Sequence, residues 1–391
     1  MSSFVRLALI LGLLSAIGPF SVDMYLPALP AITEDLRTTT SATQMTLLAF
    51  LGSFSLLQLI YGPISDAVGR KPPLYFGLVV FLVGSVGCYF APSIDALIAF
   101  RVVQGVGGAA MMVVPRAVIR DLHTGIEATR LMSLVMLVLS VSPILAPLAG
   151  SALIEPLGWR AIFAVVIVAA AISAAAVRFA LPETRPPDKR VAVGLGTTML
   201  SYAHLLRDRH FMGVTFVGGF GMASFFVFLA SSSFLYIDRF GLTPTEYGLA
   251  FGLNAVGFIG ASQASASLGA RFGMGRVILG AALGHAVSAF LLLGLVLAGI
   301  DGLGVLMALL FVTFAFLGLV VPASMVLSLE RHGPIAGLAS ALGGTLQMAA
   351  GVLTIAVGSL FFDGTALPMV ATIAACAAGA FLLAVRTLGE K

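Results

Sequence analysis

Long apolar runs dominate the chain, and polar residues gather in short segments between them. Six runs precede a polar stretch at 182–210 and six follow it, each close to the roughly 20 residues that a membrane-spanning helix requires. We number these spans 1 to 12; they cover residues 5–31, 43–64, 73–92, 95–119, 129–155, 158–181, 211–236, 245–266, 276–299, 303–329, 336–362 and 366–386. The pattern predicts an all-α integral membrane protein with twelve transmembrane helices.

The even division of the spans predicts two pseudo-symmetric halves and suggests an internal duplication. We expect an N-terminal six-helix bundle at 1–181, a cytoplasmic linker at 182–210 and a C-terminal six-helix bundle at 211–391. Span 1 starts like a signal peptide, with Arg6 before an apolar core. No soluble domain follows it, and the run is long enough to cross a membrane, so we predict a retained helix.

Composition excludes the other broad classes of protein. Of the 391 residues, 59% are hydrophobic and only 10% are charged, whereas soluble proteins carry about 25% charged residues. Continuous apolar runs exclude an outer-membrane barrel, whose strands alternate apolar and polar residues. The chain has no phosphate-binding loop and no paired-histidine zinc motif. We therefore expect no enzyme activity, no cofactor and no metal.

The positive charges have a clear sidedness. Arg37, Arg160 and Arg239 fall in segments that would be outside the membrane, Arg101 lies within a span, and every other Lys and Arg falls on the inner side. This distribution follows the positive-inside rule and predicts an inner-membrane protein with both termini in the cytoplasm. The net charge of +4 therefore reflects topology and contact with lipid headgroups, and we expect no nucleic-acid partner.

Two charged residues lie deep inside spans. Asp23 is the acid set well within an apolar run, and Arg101 is the comparable base, each roughly 10 Å from the outer end of its helix at 1.5 Å per residue. Intramembrane charges are costly and usually functional. Because an arginine does not release its proton, we predict that Asp23 carries protons with Arg101 beside it. The alternative is a static ion pair that only fixes packing.

Four sequence motifs occur at defined places in the spans. The loop between spans 2 and 3 reads GPISDAVGRK from Gly62 to Lys71, and span 4 contains RVVQG from Arg101 to Gly105. Span 5 reads SPILAPLAGS from Ser142 to Ser151, and span 1 contains DMYLPALP from Asp23 to Pro30. Together they resemble motifs of the major facilitator superfamily, and the span 1 motif resembles the Bcr/CflA group of drug exporters. The span 5 match to the antiporter motif is partial, because Ser and Ala replace glycines.

The resemblance implies a major facilitator fold with specific working parts. Its loop aspartate caps a helix of the second half, and its loop arginine pairs with an acid that ends helix four. The residues that match this gating latch are Gly62, Asp66, Gly69, Arg70 and Asp121. The residues that match the antiporter-motif helix, with small side chains that permit close approach, are Ser142, Ala146, Pro147 and Gly150.

In that fold, helices one and four line a central cavity, so their polar residues are candidate substrate contacts. The full candidate set also draws on polar and aromatic residues of the second half: Asp23, Tyr25, Arg101, Gln104, Phe220, Phe225, Asn254 and Gln347. Aromatic rings suit flat or cationic ligands. Contact with lipid is the alternative for the phenylalanines, and hydrogen bonding between helices is the alternative for the polar residues.

The resemblance implies a proton-coupled multidrug exporter that works by alternating access and confers antibiotic resistance. Its partners would be a drug-like small molecule and membrane lipid, with protons as the coupling ion, and we expect a monomer. A narrow-specificity metabolite exporter or a proton-linked uptake symporter is the nearest alternative. A membrane sensor or scaffold that transports nothing is the alternative from a different class.

Overall fold

The computed structural model describes residues 3–123, 125–190 and 195–389, and no strand occurs among them. The helices described in the first part are α1 Ser3–Asp23, α2 Leu29–Asp35, α3 Thr40–Val68, α4 Lys71–Tyr89, α5 Ile94–Leu122, α6 Gly125–Leu157 and α7 Arg160–Phe179. Those described in the second part are α8 Leu195–Arg207, α9 Arg209–Ser233, α10 Pro244–Phe272, α11 Met274–Leu297, α12 Leu303–Leu329, α13 Ala336–Ser359 and α14 Ala366–Leu388. The predicted all-α fold class is confirmed.

The chain divides into two compact units, residues 1–194 and 195–391. Unit 1 contains α1 to α7, and α5 lies against both α3 and α4. Unit 2 contains α8 to α14, in which α9 contacts α13 and α14 while α12 contacts α10 and α11. The division falls inside the stretch at 182–210 that the sequence predicts as a linker.

Among the described residues, 11 helical stretches are long and apolar enough to cross a membrane. They correspond to every predicted span except span 8, which is the 29-residue helix α10. Asn254, Gln263 and several serines lower the hydropathy of α10. This helix packs closely against α12, since a Cβ added at Gly318 would lie 2.1 Å from the Phe258 carbonyl oxygen. Span 8 is thus less apolar than the other spans, and it approaches its neighbour α12 at backbone distance.

Span 1 is broken rather than continuous. Helix α1 ends at Asp23, a 3₁₀ turn covers Leu26–Ala28, and α2 begins at Leu29. Pro27 and Pro30 cause the break, because neither has an N–H to donate to the carbonyl four residues earlier. The break, residues 24–28, leaves Asp23 at a helix end within the span.

A helix forms where the sequence predicts only a linker. Helix α8 contacts α9 and α13; it buries Tyr202 and Leu205 and exposes Met199 and Leu200. Its amphipathic character is that of a helix lying at a membrane surface. Asp208 then caps α9, since its Oδ1 accepts hydrogen bonds from the N–H of His210 at 2.8 Å and of Phe211 at 3.1 Å. A polar stretch too short for a domain therefore still has defined structure.

Glycines let α5 approach two neighbours at backbone distance. A Cβ added at Gly105 would lie 2.4 Å from the Phe50 carbonyl oxygen of α3. One added at Gly107 would lie 2.4 Å from the Gly77 carbonyl oxygen of α4. Small residues permit such van der Waals contact between membrane helices. Arg101 and Gln104, just before these glycines, are thereby held against α3 and α4.

The small-residue face of α6 lies against the break after Asp23. Ser142 and Ala146 are fully buried, and a Cβ added at Gly150 would lie 2.2 Å from the Met24 carbonyl oxygen. These three positions are four residues apart, so they share one helix face. The face that matches the antiporter motif therefore contacts the chain immediately beside Asp23.

We expect Gly150→Ala to destabilise the protein by about 1–3 kcal/mol, because the added methyl group overpacks the contact with Met24. Thermal unfolding of the purified protein in one detergent measures the change. The matched control is Gly260→Ala in α10, where nothing lies within 4 Å of an added Cβ. The control should be unchanged or slightly stabilised, because Ala favours helix over Gly. Equal melting temperatures for Gly150→Ala and the unsubstituted protein would contradict the close approach.

Candidate functional site

Asp23 is buried at the end of α1. Its exposed fraction is 6%, and among the residues that the structure describes it is the one Asp or Glu in the buried class. The Ser142 hydroxyl of α6 donates a hydrogen bond to Asp23 Oδ2 at 3.1 Å. A carboxylate removed from water needs a partner to remain charged. The structure gives Asp23 a neutral hydroxyl as that partner.

Arg101 is fully buried and lies between two aromatic rings. Its guanidinium carbon is 4.6 Å from the ring centroid of Tyr25 and 4.4 Å from that of Phe50. Its Nη1 donates to Gln104 Oε1 at 2.6 Å and to the Ser21 carbonyl at 3.3 Å. Cation–π contacts and charge-assisted hydrogen bonds offset the removal of this charge from water. Nη2 has no hydrogen-bond partner in the described structure.

Asp23 and Arg101 occupy one region but do not pair with each other. Arg101 binds Ser21 and Tyr25, the residues two before and two after Asp23. In the described part of the chain, however, no ion pair joins the two charged groups, and Asp23 bonds to Ser142 instead. The structure therefore contains no static Asp23–Arg101 ion pair, which was the alternative to a functional role.

Hydroxyl groups that the sequence analysis did not single out complete this region. The Tyr25 hydroxyl hydrogen-bonds with Thr46 Oγ1 at 2.8 Å, and Gln104 Nε2 donates to Ser85 Oγ at 2.8 Å. Thr46 and Ser85 are both fully buried, on α3 and α4. Single serines and threonines in an apolar run carry little signal, because membrane helices use them widely for packing. Only their neighbours in space reveal the network.

The phenylalanine candidates of unit 2 have different neighbours. Phe220 lies beside Gly379 of α14, whereas Phe225 points to α10 and α12, where it contacts Phe258 and Phe314 at centroid distances of 6.0 and 5.6 Å. Phe225 thus belongs to a packed aromatic cluster. These ring contacts are those of a packing residue, a role that the sequence analysis did not consider for Phe225.

The two polar candidates of unit 2 also differ in their surroundings. Asn254 is 1% exposed; its Nδ2 donates to the Ala250 carbonyl at 3.2 Å, while its Oδ1 has no partner in the described structure. Gln347 of α13 is half-buried and lies against Gly218, where an added Cβ would be 2.6 Å from its Nε2. Asn254 therefore retains a free buried acceptor, and Gln347 lies at a close contact between helices.

The predicted latch residues form an ion-pair cluster between α3, α4 and α5. Arg70 binds Asp121 with both arms of its guanidinium, Nε to Oδ2 at 2.7 Å and Nη2 to Oδ1 at 3.0 Å. Its Nη1 also bonds to Asp66 Oδ1 at 2.8 Å. Bidentate pairing of this kind fixes geometry as well as charge. Arg70 therefore joins the loop after α3 to the end of α5.

Residues after α7 complete the latch cluster, and the sequence analysis had not included them. Thr184 donates to Asp121 Oδ2 at 3.0 Å, and Arg185 Nη1 lies 3.5 Å from Asp66 Oδ1. Glu183 accepts hydrogen bonds from the N–H of Arg70 at 2.8 Å and of Lys71 at 3.0 Å, which are the groups that begin α4. A carboxylate at a helix N-terminus is favourable. The LPET sequence at 181–184 was the signal in the sequence that could have added Glu183 and Thr184 to the predicted latch.

Gly69 permits this arrangement. Its φ is 99°, a value that residues with a side chain rarely adopt, and an added Cβ would lie 2.8 Å from Glu183 Oε2.

Partial burial acts to raise the pKa of the Glu183 carboxyl, but the N–H groups of Arg70, Lys71 and Arg185 outweigh this effect and hold that pKa below its ordinary value of 4.5. Glu183 is therefore charged at neutral pH and stabilises the start of α4. Gly62 lies one turn before Asp66, with Val113 of α5 at 3.8 Å from an added Cβ.

No metal centre accompanies these residues: the described part of the chain has no group of three or more His, Cys, Asp or Glu that could hold an ion. Cys88 and Cys376 are both buried and free.

Comparison with known proteins identifies related transporters. Residues 11–355 match the Major Facilitator Superfamily. The chain is 32% identical over 379 residues to the bicyclomycin resistance protein homolog of Haemophilus influenzae, covering 96% of this chain and 94% of the relative. It is 35% identical over 184 residues to multidrug resistance protein D of Escherichia coli, covering 47% of each. The crystal structure of a D-xylose–proton symporter has the same fold, with a TM-score of 0.73 at 16% identity over 99% of this chain and 97% of that one.

We expect Glu183→Gln to lower stability by about 1 kcal/mol at neutral pH, because a neutral amide accepts the N–H groups of Arg70 and Lys71 less well. Because the folded-state pKa is depressed, the contribution of Glu183 is fully present above pH 4.5, its ordinary value, and is lost as pH falls through the lowered pKa. The difference in melting temperature between variant and unsubstituted protein should therefore narrow in acid.

The control for this measurement is Asp188→Asn, which removes an exposed acid from the same segment. It should leave the melting temperature unchanged at both pH values. A Glu183→Gln variant that behaved like this control would show that the carboxylate does not stabilise α4.

Proposed function

Because the chain belongs to the Major Facilitator Superfamily, we propose that it exports small hydrophobic drugs or toxic compounds across the inner membrane in exchange for protons. The protein is a multi-pass membrane transporter and not an enzyme. The drug cargo is supported by the names of its relatives, which refer to bicyclomycin resistance and to multidrug resistance. Transport by alternating access, with both termini in the cytoplasm, completes the proposal.

The environment of Asp23 is the observation that supports the proposed proton exchange. A proton carrier must be stable in both its charged and its neutral form, and a permanent ion pair would disfavour the neutral form. The partner of Asp23 is the Ser142 hydroxyl, which can donate to a carboxylate or accept from a carboxylic acid. Asp23 can therefore gain and lose a proton without breaking an ion pair.

The helix break gives that proton exchange a mechanical consequence. Asp23 ends α1, and the next residue contacts Gly150 of α6 at backbone distance. A change of charge on Asp23 alters its bond to Ser142 on the same face of α6. We propose that this contact couples protonation of Asp23 to movement of α1 against α6.

Arg101 is proposed to hold the segment around Asp23 in place. Arg101 donates a hydrogen bond to the Ser21 carbonyl and makes a cation–π contact with the Tyr25 ring. Gln104 and Phe50 fix the position of Arg101 through a hydrogen bond and a second cation–π contact. The free Nη2 of Arg101 leaves one donor for an incoming group. We propose Tyr25 and Gln104 as residues that orient Arg101, and Asn254, Gln347 and Phe220 as substrate contacts of the second half.

The latch cluster is proposed to be the inner gate. Its residues lie at the inner ends of α3, α5 and α7 in the orientation given by the positive-inside rule. Arg70 supplies the largest number of its bonds, to Asp66, Asp121 and Ser65.

Flux measurements test the transport proposal directly. Purified protein in liposomes, with an imposed pH gradient, should move bicyclomycin against its own gradient and in the direction opposite to protons. Movement of cargo together with protons would indicate an uptake symporter. No flux of any of a panel of drugs and metabolites would contradict transport and favour a sensor.

We expect Asp23→Asn to abolish substrate-induced proton release from the purified protein, because the amide side chain does not ionise and so cannot release a proton as a carboxylic acid does. The control is Glu34→Gln, which neutralises an exposed acid of α2. Gel filtration checks that both variants are folded. Proton release by a well-folded Asp23→Asn protein would show that another group is the carrier.

We expect Arg70→Ala to slow transport at least about tenfold while leaving membrane insertion intact, because it removes a bidentate, charge-assisted pair. Arg70→Lys should recover only part of the rate, since a lysine cannot bind Asp121 with two arms. Arg120→Ala is the control, as it removes an exposed charge from the end of α5. Normal rates at equal membrane levels in Arg70→Ala would rule out the gate.

A further inference from the structure

Unit 2 contains a cavity of about 610 Å³ that the proposed transport mechanism does not use. It lies where α9 and α11 begin and where α12 and α14 end. All four of these helix ends are on the inner side of the membrane in the proposed orientation. The cavity has a polar side and an apolar side, and the two sides differ sharply in chemistry.

Positive charge dominates the polar side. Arg276 and Arg331 line the cavity with His210, and Glu330 is the acid among the described lining residues. Within the described part of unit 2, the ion pairs join Arg239 to Asp301 and His332 to Asp208. Among these described residues, neither Arg276 nor Arg331 has an acidic partner. Two guanidinium groups without partners in one cavity can bind a phosphate group bidentately.

The start of α11 adds hydrogen-bond donors to the same side. Gly273 and Gly275 line the cavity, and no side chain caps the first turn of this 24-residue helix. The first N–H groups of a helix have no partner within it, and they favour an anion. An added Cβ at either glycine would meet nothing within 4 Å, so the space in front of these N–H groups is open.

The apolar side is continuous with the core of unit 2. Leu279, Leu327 and Leu388 line the cavity and also pack against a buried cluster that includes Val217 and Ile278. An inorganic anion would gain nothing from this surface. A ligand with a phosphate at one end and hydrocarbon at the other would use both sides, because burial of apolar surface is favourable.

We propose that this cavity binds an anionic phospholipid of the inner leaflet. Arg276, Arg331 and the first turn of α11 hold its phosphate, and the acyl chains lie along Leu279, Leu327 and Leu388. Basic pockets between membrane helices on the cytoplasmic side are suited to such headgroups. The inference depends on the proposed orientation but not on the cargo or on proton coupling.

The test measures ligand binding to the full-length purified protein after delipidation in a neutral detergent. The probes are short-chain phosphatidylglycerol, short-chain phosphatidylcholine and inorganic phosphate, and the readouts are melting temperature and lipid adducts in native mass spectra. We expect phosphatidylglycerol to bind most tightly and to raise the melting temperature. Inorganic phosphate should have little effect at the same concentration, because it cannot use the apolar side.

The decisive variant is Arg276→Gln with Arg331→Gln, which should weaken phosphatidylglycerol binding at least about tenfold. Its matched control is Arg271→Gln with Arg386→Gln, which removes two exposed charges near the same helix ends but outside the cavity lining. The control should keep the affinity of the unsubstituted protein. Glu330→Gln should bind phosphatidylglycerol more tightly, since it removes the negative charge beside the phosphate.

A further variant separates binding from folding. Gly275→Leu fills open space in the cavity, so it should abolish lipid adducts. It also replaces a residue that disfavours helix, so the melting temperature of the lipid-free protein should stay the same or rise. Equal stabilisation by phosphate and phosphatidylglycerol would overturn the lipid assignment. Equal losses of binding in the two double variants would show that only overall charge matters, which would also overturn it. Loss of drug flux in Asp23→Asn leaves this result unaffected, so the two proposals fail separately.

Discussion

Gly150 of α6 lies so near the Met24 carbonyl that an added Cβ would be 2.2 Å from that oxygen. This approach is possible because two conditions meet. Pro27 and Pro30 break the first span just after Asp23, and α6 presents small residues on the face that meets the break. The same face carries Ser142, the hydrogen-bond partner of Asp23. The environment of the buried carboxylate therefore depends on a backbone contact between two helices.

The two intramembrane charges are accommodated by different means. Arg101 is enclosed by two rings and bonded to carbonyl oxygens and an amide, so its charge is held permanently. Asp23 has one hydroxyl partner at 3.1 Å, which suits either protonation state. A direct ion pair would have locked both groups, because breaking a buried pair is costly. Keeping the groups apart fixes the charge of Arg101 and meets the condition that the proposed proton exchange places on Asp23.

In the latch cluster, charged side chains hold helix ends together. This cluster is made of Arg70, Asp66, Asp121 and Arg185. Its ion pairs join residues one helical turn apart, as in Asp66–Arg70, and residues far apart in the sequence, as in Arg70–Asp121. Glu183 joins the segment after α7 to the start of α4. Unit 2 differs, since its core around Phe225 is aromatic and its free arginines face a cavity. The two units thus share an architecture but distribute polar groups differently.

The sequence alone determined the number of spans and the two buried charges, and it predicts the orientation of the spans through the positive-inside rule. Hydropathy is a local property, and a charge inside an apolar run is conspicuous because the bilayer makes it costly. The resemblance to a known family added the latch pairing of Arg70 with Asp121. Tertiary structure decided the partners of those charges: Ser142 is 119 residues from Asp23, and Glu183 is 113 residues from Arg70. Single serines and glycines give little local signal of such contacts, since their role arises only where two helices meet. For Glu183 the LPET sequence was a signal, but it did not reveal that the partner is the start of α4.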